Sequence, residues 1–242
     1  MQTLEKKWDD KAQIVDVSDS GNTLTIASLC GEIVRLTCLF PVLRLYTCQQ
    51  VYGSEQLSDS GPYIFAANHC SHLDAPLVLA ALPLSLRLRV RVAAAADYFF
   101  DRRWKAALMT IVLNAFPFVR KGPHCADSLE YAQQLLASGN SILLFPEGTR
   151  SKDGQLQPFK RGVGKLALSG LAPVVPIWIE GTYAALPKGA RWPRHKQVTI
   201  RFGTPVSFSP DDSLSITMTE IEQRVQALSP ASMTMRKEVS AR

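Results

Sequence analysis

Short apolar runs, each closed by turn residues and followed by a stretch of helical periodicity, constrain this chain more than any other feature. Pro62–Ala67, Ser141–Phe145, Val174–Ile179 and Gln197–Phe202 are of this kind. Runs this short, bounded by turn signals, read as buried strands. Leu86–Ala93 alternates as LRLRVRVA, a strand with Arg87, Arg89 and Arg91 on one side. Phe116–Val119 is a short extended segment. Between the strands, Asp74–Leu82, Arg102–Leu113, Phe159–Leu168 and Ile216–Leu228 carry helical patterns, with Pro76 tolerated in a first turn. Asp127 and Glu130 resemble an N-cap and its capping-box partner for a helix ending near Gly139. Strands alternating with helices define an α/β class with a largely parallel central sheet flanked by helices.

The N-terminal part is organised differently. Residues 1–28 form a polar lead with a short strand expected near Ile14–Val17. Leu29, Ile33, Leu36, Phe40 and Leu43 recur at helical spacing, so 29–52 reads as an amphipathic helical segment, kinked or interrupted at Pro41. The α/β domain then occupies 53–228, and 229–242 is expected to be a frayed tail. No apolar secretory signal is visible, and no segment offers about 18 uncharged apolar residues. Ala106–Val119 is too short to span a bilayer, and Ala27–Tyr52 contains Glu32, Arg35 and Arg44. The expected behaviour is therefore peripheral or monotopic, with the 29–43 face on a membrane surface and Arg35 and Arg44 assisting. The chain carries 27 Lys+Arg against 21 Asp+Glu, a formal charge of +6, which suits an anionic partner. Its five cysteines form no CxxC pair and fit free thiols on the cytoplasmic side.

The chemistry concentrates in two places. Asn68-His69-Cys70-Ser71-His72-Leu73-Asp74 sits between a predicted strand and a predicted helix. On a regular helix His69 and Asp74 would lie about 140° apart, so they meet only if the chain turns between them. In that case Asp74 holds one ring nitrogen of His69 and leaves the other as a general base. Asp74 also suits the N-cap of the following helix. His69, His72 and Asp74 are conceivable metal ligands, but no compact fourth ligand or HExxH pattern accompanies them. His72 reads as structural, and Cys70 as a passenger thiol rather than a nucleophile. The second place, Phe145-Pro146-Glu147-Gly148-Thr149-Arg150-Ser151, also follows an apolar strand. Its glycine allows backbone to approach an anion, and Arg150 can grip a phosphate with two parallel bonds. A surface turn with a weak Glu–Arg pair is the alternative reading of that segment alone.

Taken together, the two segments give the chain a resemblance to the acyltransferase family that contains 1-acylglycerol-3-phosphate and glycerol-3-phosphate acyltransferases. The Asn-His-x-x-x-x-Asp block is met by Asn68, His69 and Asp74. An apolar run closing on arginine is met by Phe116–Arg120, and the Phe-Pro-Glu-Gly-Thr-Arg-Ser block is complete at 145–151. An apolar strand around a proline is met by Val174–Ile177. The resemblance covers roughly residues 40–208. It implies that His69 removes a proton from an acceptor hydroxyl, that Asp74 orients His69, and that the alcohol oxygen attacks an acyl thioester. It further implies that Arg120, Glu147, Gly148, Thr149 and Arg150 shape the acceptor site. The donor is acyl-CoA or acyl carrier protein, the acceptor a lysophospholipid, and neither metal nor bound cofactor is called for.

One departure bears on the acceptor. Many lysophosphatidic acid acyltransferases carry a lysine after the strand that follows the first block, where this chain reads Ala93-Ala94-Ala95-Ala96-Asp97. Arg102, Arg103 or Lys105 is the expected substitute. Otherwise the acceptor is another lysolipid or an amino-lipid. A non-catalytic basic module on acidic lipid is the remaining alternative. Nucleic acid is not an expected partner, since no basic-aromatic recognition motif is present.

Overall fold

The computed structural model describes residues 26–59 and 61–233. The strand expected near Ile14–Val17 lies outside them. Helix α1 (Ile26–Val34) passes through a π-helical turn (Arg35–Leu39) into α2 (Phe40–Tyr46). Pro41 has no N–H to return to the preceding turn, and the helix responds by widening. The Phe40 N–H bonds the carbonyl of Arg35, five residues back. There follow β1 (Thr47–Tyr52), β2 (Ile64–Ala67), α3 (Asp74–Ala81), α4 (Leu84–Arg87), β3 (Val90–Ala95), α5 (Ala96–Phe99), α6 (Arg103–Leu113) and β4 (Ala115–Phe118). The chain continues with α7 (Cys125–Ala137), β5 (Ser141–Leu144), α8 (Arg161–Ala167), β6 (Val174–Glu180), α9 (Thr182–Ala185), β7 (Lys196–Phe202) and α10 (Leu214–Ala227).

The strands form one sheet in the order β1-β7-β6-β2-β5-β3-β4. Every neighbouring pair is parallel except β6 and β7. Strand β2 lies at the centre, with Ala66 opposite Leu144 of β5 and Pro176 of β6. Its residues Ile64 to Ala67 are all fully buried, as expected of a parallel strand covered on both faces. Alternate residues feed two apolar layers. Phe65 and Ala67 join Leu77, Leu79, Val92 and Ala94 on one side. Ile64 and Ala66 join Leu135, Ile142, Leu166 and Ile221 on the other.

Several expectations change on folding. The helical segment expected to reach residue 52 ends at Tyr46, and Thr47–Tyr52 pairs with β7 instead. Thr47, Val51 and Tyr52 favour extended backbone, and the β7 edge satisfies their peptide groups. The apolar face of the first helices divides. Phe40 and Leu43 are core residues, whereas Leu29, Ile33 and Leu36 are exposed. Arg35 is not at the surface: it is buried, with Nε 2.8 Å from Glu32 and Nη1 3.3 Å from the Val112 carbonyl. Glu32 also receives Arg87 at 2.6 Å. Arg87 therefore leaves the expected row of strand arginines, and Arg91 turns inward to Asn114 and Asn140. Helix α7 begins at Cys125 after His124, so Asp127 lies in its first turn and accepts from His124 rather than capping it. The frayed end expected from Ser229 does not hold at 229–233, since Ser229 is buried and its Oγ lies 2.9 Å from Ser232 Oγ. Residues 234–242 lie outside the described ones.

Candidate active site

Both motif segments follow strands that are side by side. Because β2 and β5 are parallel and paired, the chain leaves each at the same edge, and residues 68–74 meet residues 145–151 there. Carboxyl ends of parallel strands are where α/β folds gather functional loops. Asn68 secures the first loop: its Oδ1 accepts from the Ile179 N–H at 2.7 Å and its Nδ2 donates to the Ile179 carbonyl at 2.9 Å. Ser71 Oγ donates to the Leu186 carbonyl at 2.8 Å.

The turn brings His69 Nδ1 to 2.8 Å from Asp74 Oδ2. The same oxygen accepts from the N–H groups of Cys70 at 2.7 Å and Ser71 at 2.8 Å. Asp74 is the first residue of α3 and fully buried, and its carboxylate faces back over the turn rather than capping the helix. An oxygen that accepts from two backbone donors is an acceptor toward His69 as well, so Nδ1 is the donor, and in the neutral ring the lone pair is then on Nε2. The His69 ring stacks on Phe145, centroids 4.0 Å apart, and lines the cleft described below.

Glu147 lies behind this dyad. It is 2% exposed and does not line the cleft, contrary to the expectation of a substrate contact. Its Oε1 accepts from the His69 N–H at 2.6 Å and its Oε2 from the Gln157 N–H at 3.0 Å. Burial pushes its pKa up to about 7, against the lowering effect of those two bonds. The carbonyl of His69 receives the Ser151 N–H at 2.8 Å, so the second loop grips both sides of the His69 peptide. Gly148 adopts φ +69, and Lys160 packs where a side chain would stand, so only glycine turns the chain there.

A cleft of about 1240 Å³ opens over these loops. His69, Gly148, Thr149, Arg150 and Arg120 line it. Arg120 is already engaged: Nη2 contacts both oxygens of Asp97 at 2.7 and 2.8 Å, and Nη1 donates to the Gly148 carbonyl. It therefore orients the Gly148 turn. Arg150 is half-buried and has no carboxylate partner among the described residues. The replacement cations expected at Arg102, Arg103 and Lys105 do not line the cleft, and Lys105 pairs with Asp101. Cations enter instead through Lys160, Arg161, Lys165 and Lys188, which the sequence motifs do not single out. The Lys160-Arg161 pair and Lys165, beginning nine residues after the second block, are the signal that marks the first three. Away from the cations, the wall is apolar, including Val92, Ala94, Met109 and Leu113.

Two bland expectations gain physical reasons. Cys70 is buried, and its desolvation, with the Asp74 charge second, pushes the thiol pKa up to about 12, so it stays protonated. His72 packs on Tyr98 and Phe99 and lines the cleft with them. Desolvation, then the Arg150 charge, lowers its pKa, so it is neutral at pH 7. Among the described residues no group of three or more His, Cys, Asp or Glu side chains is placed to hold a metal ion.

The family model described as Acyltransferase matches residues 48–180, the segment that contains both loops. This chain belongs to the acyltransferase family. Among its relatives, the chloroplastic 1-acyl-sn-glycerol-3-phosphate acyltransferase BAT2 of Brassica napus is 33% identical over 169 residues, covering 68% of this chain and 46% of that one. The alpha form from Homo sapiens is 31% identical over 186 residues, covering 75% and 64%. This acyltransferase chain thus spans about half to two thirds of the length of the curated relatives it matches. The crystal structure of PlsC, the 1-acyl-sn-glycerophosphate acyltransferase of Thermotoga maritima, superimposes with a TM-score of 0.59 at 27% identity, covering 86% of this chain and 80% of that one.

Proposed function

We propose that this chain transfers a fatty acyl group from an acyl thioester to the free hydroxyl of a lysophospholipid, 1-acylglycerol-3-phosphate, giving phosphatidic acid. The observation that carries the reading is the 2.8 Å His69–Asp74 pair facing a cleft that also contains Arg150. His69 Nε2 takes the hydroxyl proton as the alcohol oxygen attacks the thioester carbonyl. The tetrahedral intermediate collapses, the C–S bond breaks, and the imidazolium returns the proton to the leaving thiolate. Asp74 stabilises the imidazolium in between. Arg150 holds the acceptor phosphate, which lies only a few bonds from the reacting hydroxyl, and so orients it. The relatives' names support this acceptor.

The acceptor is tested by a panel of lysolipids read by mass spectrometry. Arg150→Lys keeps the charge and loses the planar fork. It is expected to raise the lysophosphatidic acid KM roughly tenfold, about the value of one charge-assisted hydrogen bond, with a smaller change in donor KM. A neutral acceptor such as monoacylglycerol should be poor and insensitive to the change. One observation favours a second acceptor class: Asp97 engages Arg120, leaving it less able to bind phosphate. Preference for a neutral or amine acceptor, with Arg150→Lys kinetically silent, moves the assignment there.

We further place the enzyme on the cytoplasmic face of a membrane as a monotopic protein. No helix among the described residues is long and apolar enough to cross a bilayer. Leu29, Ile33, Leu36, Val42 and Leu45 on the first helices are exposed, as are Trp104, Leu108 and Ile111 on α6, which packs against α1. Adjacent exposed apolar faces of this kind suit an interface. The exposed free thiols Cys30, Cys38 and Cys48 fit a reducing compartment. Ile33→Glu with Leu45→Glu should abolish flotation with anionic liposomes and spare turnover of detergent-dispersed acceptor. Undiminished flotation would refute the interface.

A further inference from the structure

We propose that Glu222 is a positioning residue for His69, acting from helix α10 through Gln157 and Glu147. This rests on the acyl-transfer reading above, in which His69 is the base. It adds a residue outside the segment 48–180 that the family model matches.

The first observation is what holds Glu147. Its Oε1 accepts from the His69 N–H, so the place of His69 follows the place of that carboxylate. Its Oε2 is oriented by the Gln157 N–H at 3.0 Å. Gln157 belongs to residues 152–160, which form neither helix nor strand. A segment without regular structure presents an N–H in a fixed direction only where other contacts pin it.

The second observation is where the pins are. The Phe159 N–H donates to Glu222 Oε2 at 3.0 Å, and the Lys160 N–H to the Pro146 carbonyl at 2.9 Å. Pro158 stands between Gln157 and Phe159 and has no N–H of its own. Glu147 and Glu222 thus take alternate N–H groups of one short stretch. They are near enough for the Glu222 charge to add to the rise of the Glu147 pKa, after burial and the Asp74 charge.

Glu222 also has a firm footing. Ile221 and Val225 on the same helix are fully buried, in one apolar layer with Val163 and Leu166 of α8. Glu220 pairs with Arg224 along the helix, whereas Glu222 is half-buried and turns to the loop. A backbone N–H on a charged acceptor is among the stronger hydrogen bonds, so the loop is tied to the helix. Contacts then run from α10 through Phe159, Gln157 and Glu147 to the His69 peptide, while Asp74 holds the His69 ring.

Steady-state kinetics and amide hydrogen exchange on the full chain test this. Glu222→Ala should lower kcat roughly tenfold or more, since about 1 Å of misplacement costs up to roughly 10²-fold. Both substrate KM values should stay within about twofold, because no substrate contact is removed. Glu222→Gln keeps an oxygen for the Phe159 N–H and should stay within about threefold of wild type. Glu222→Asp keeps the charge, is one methylene too short to reach, and should behave as Glu222→Ala. Where Glu222→Ala does not fold, Glu222→Asp carries the same test. Val225→Ala is the control: a cavity on the same helix should lower the melting temperature at least as much and leave kcat unchanged. On a Glu147→Gln background, Glu222→Ala should have little further effect on kcat, as residues acting through one another are not additive. The His69 and Gln157 amides should exchange faster in Glu222→Ala and at the wild-type rate in Glu222→Gln, a readout that needs no turnover. A wild-type kcat for Glu222→Ala overturns the proposal. So does a Glu222→Gln protein as slow as Glu222→Ala, or full additivity with Glu147→Gln. If the amides respond as described and no lysolipid is acylated, the acyl-transfer reading fails while the contact chain to His69 stands.

Discussion

Replacing His69 by alanine is expected to lower kcat by about 10²–10⁴-fold, the usual contribution of a positioned general base. The ring accepts the proton at Nε2 only because Asp74 holds Nδ1 at 2.8 Å. Folding should suffer little. The main packing interaction of the ring is its stack on Phe145, and such a stack is worth about 0.5–1.5 kcal/mol. Asp74→Asn should lower kcat comparably. The amide oxygen still accepts from Cys70 and Ser71, so the turn survives, but the charge that stabilises the imidazolium is gone. His72→Ala is the control. It stays neutral at pH 7 against Tyr98, and its removal should be mild. Single-turnover kinetics with each variant separate the chemical step from binding. A His69→Ala protein that keeps more than about a tenth of the wild-type rate falls outside the general-base range and would contradict the mechanism.

Glu147→Gln is expected to destabilise the fold and the active loop together. Glu147 receives one backbone N–H on each oxygen. Glutamine offers one oxygen and an NH₂, so either His69 or Gln157 N–H would face a donor. An unsatisfied buried donor costs about 1–3 kcal/mol. The effect carries a pH signature. Burial raises the folded pKa of Glu147 from its ordinary 4.5 to about 7. Between those values the folded state holds a proton that the unfolded state has released. Glu147 therefore contributes most below pH 4.5, and the contribution falls as pH rises through 7. The wild-type advantage over Glu147→Gln, from paired urea melts, should be largest near pH 5 and shrink toward pH 8. An advantage that grew with pH would mean that the carboxyl is not desolvated. Turnover should fall as well, because the His69 peptide loses one of its two tethers to the second loop.

Strands β2, β5, β6 and β7 and the residues of both loops were legible in the sequence because local rules determine them. A buried strand needs a short apolar run, a helix a 3.6-residue period, and a turn its Gly or Pro. The His69–Asp74 pairing was legible on one condition, a turn between them, which the Asp74 bonds to Cys70 and Ser71 supply. Thr47–Tyr52 was not legible as a strand. Its apolar positions continue the helical spacing upstream, and only β7, about 150 residues later, offers the peptide groups that extend it. Arg35 and Arg87 looked like surface charges for the same reason. Nothing local announces that Glu32 will stand between them in a buried site.

What the sequence alone determined is an inventory: most element types, the residue types of the His69–Asp74 pair, and the loops that carry them. What only the tertiary structure decided is which groups face the substrate. Glu147 belongs to the same motif as Arg150, yet it points back to hold His69, because parallel pairing of β2 with β5 brings the two loops against each other. Arg120 is turned to Asp97 and Gly148. Lys160, Arg161 and Lys165 enter the cleft because α8 packs across the sheet beside that edge. A hydrogen-bond partner or a cleft wall is a relation between distant segments. Residue spacing carries no information about it until strand register sets the distances.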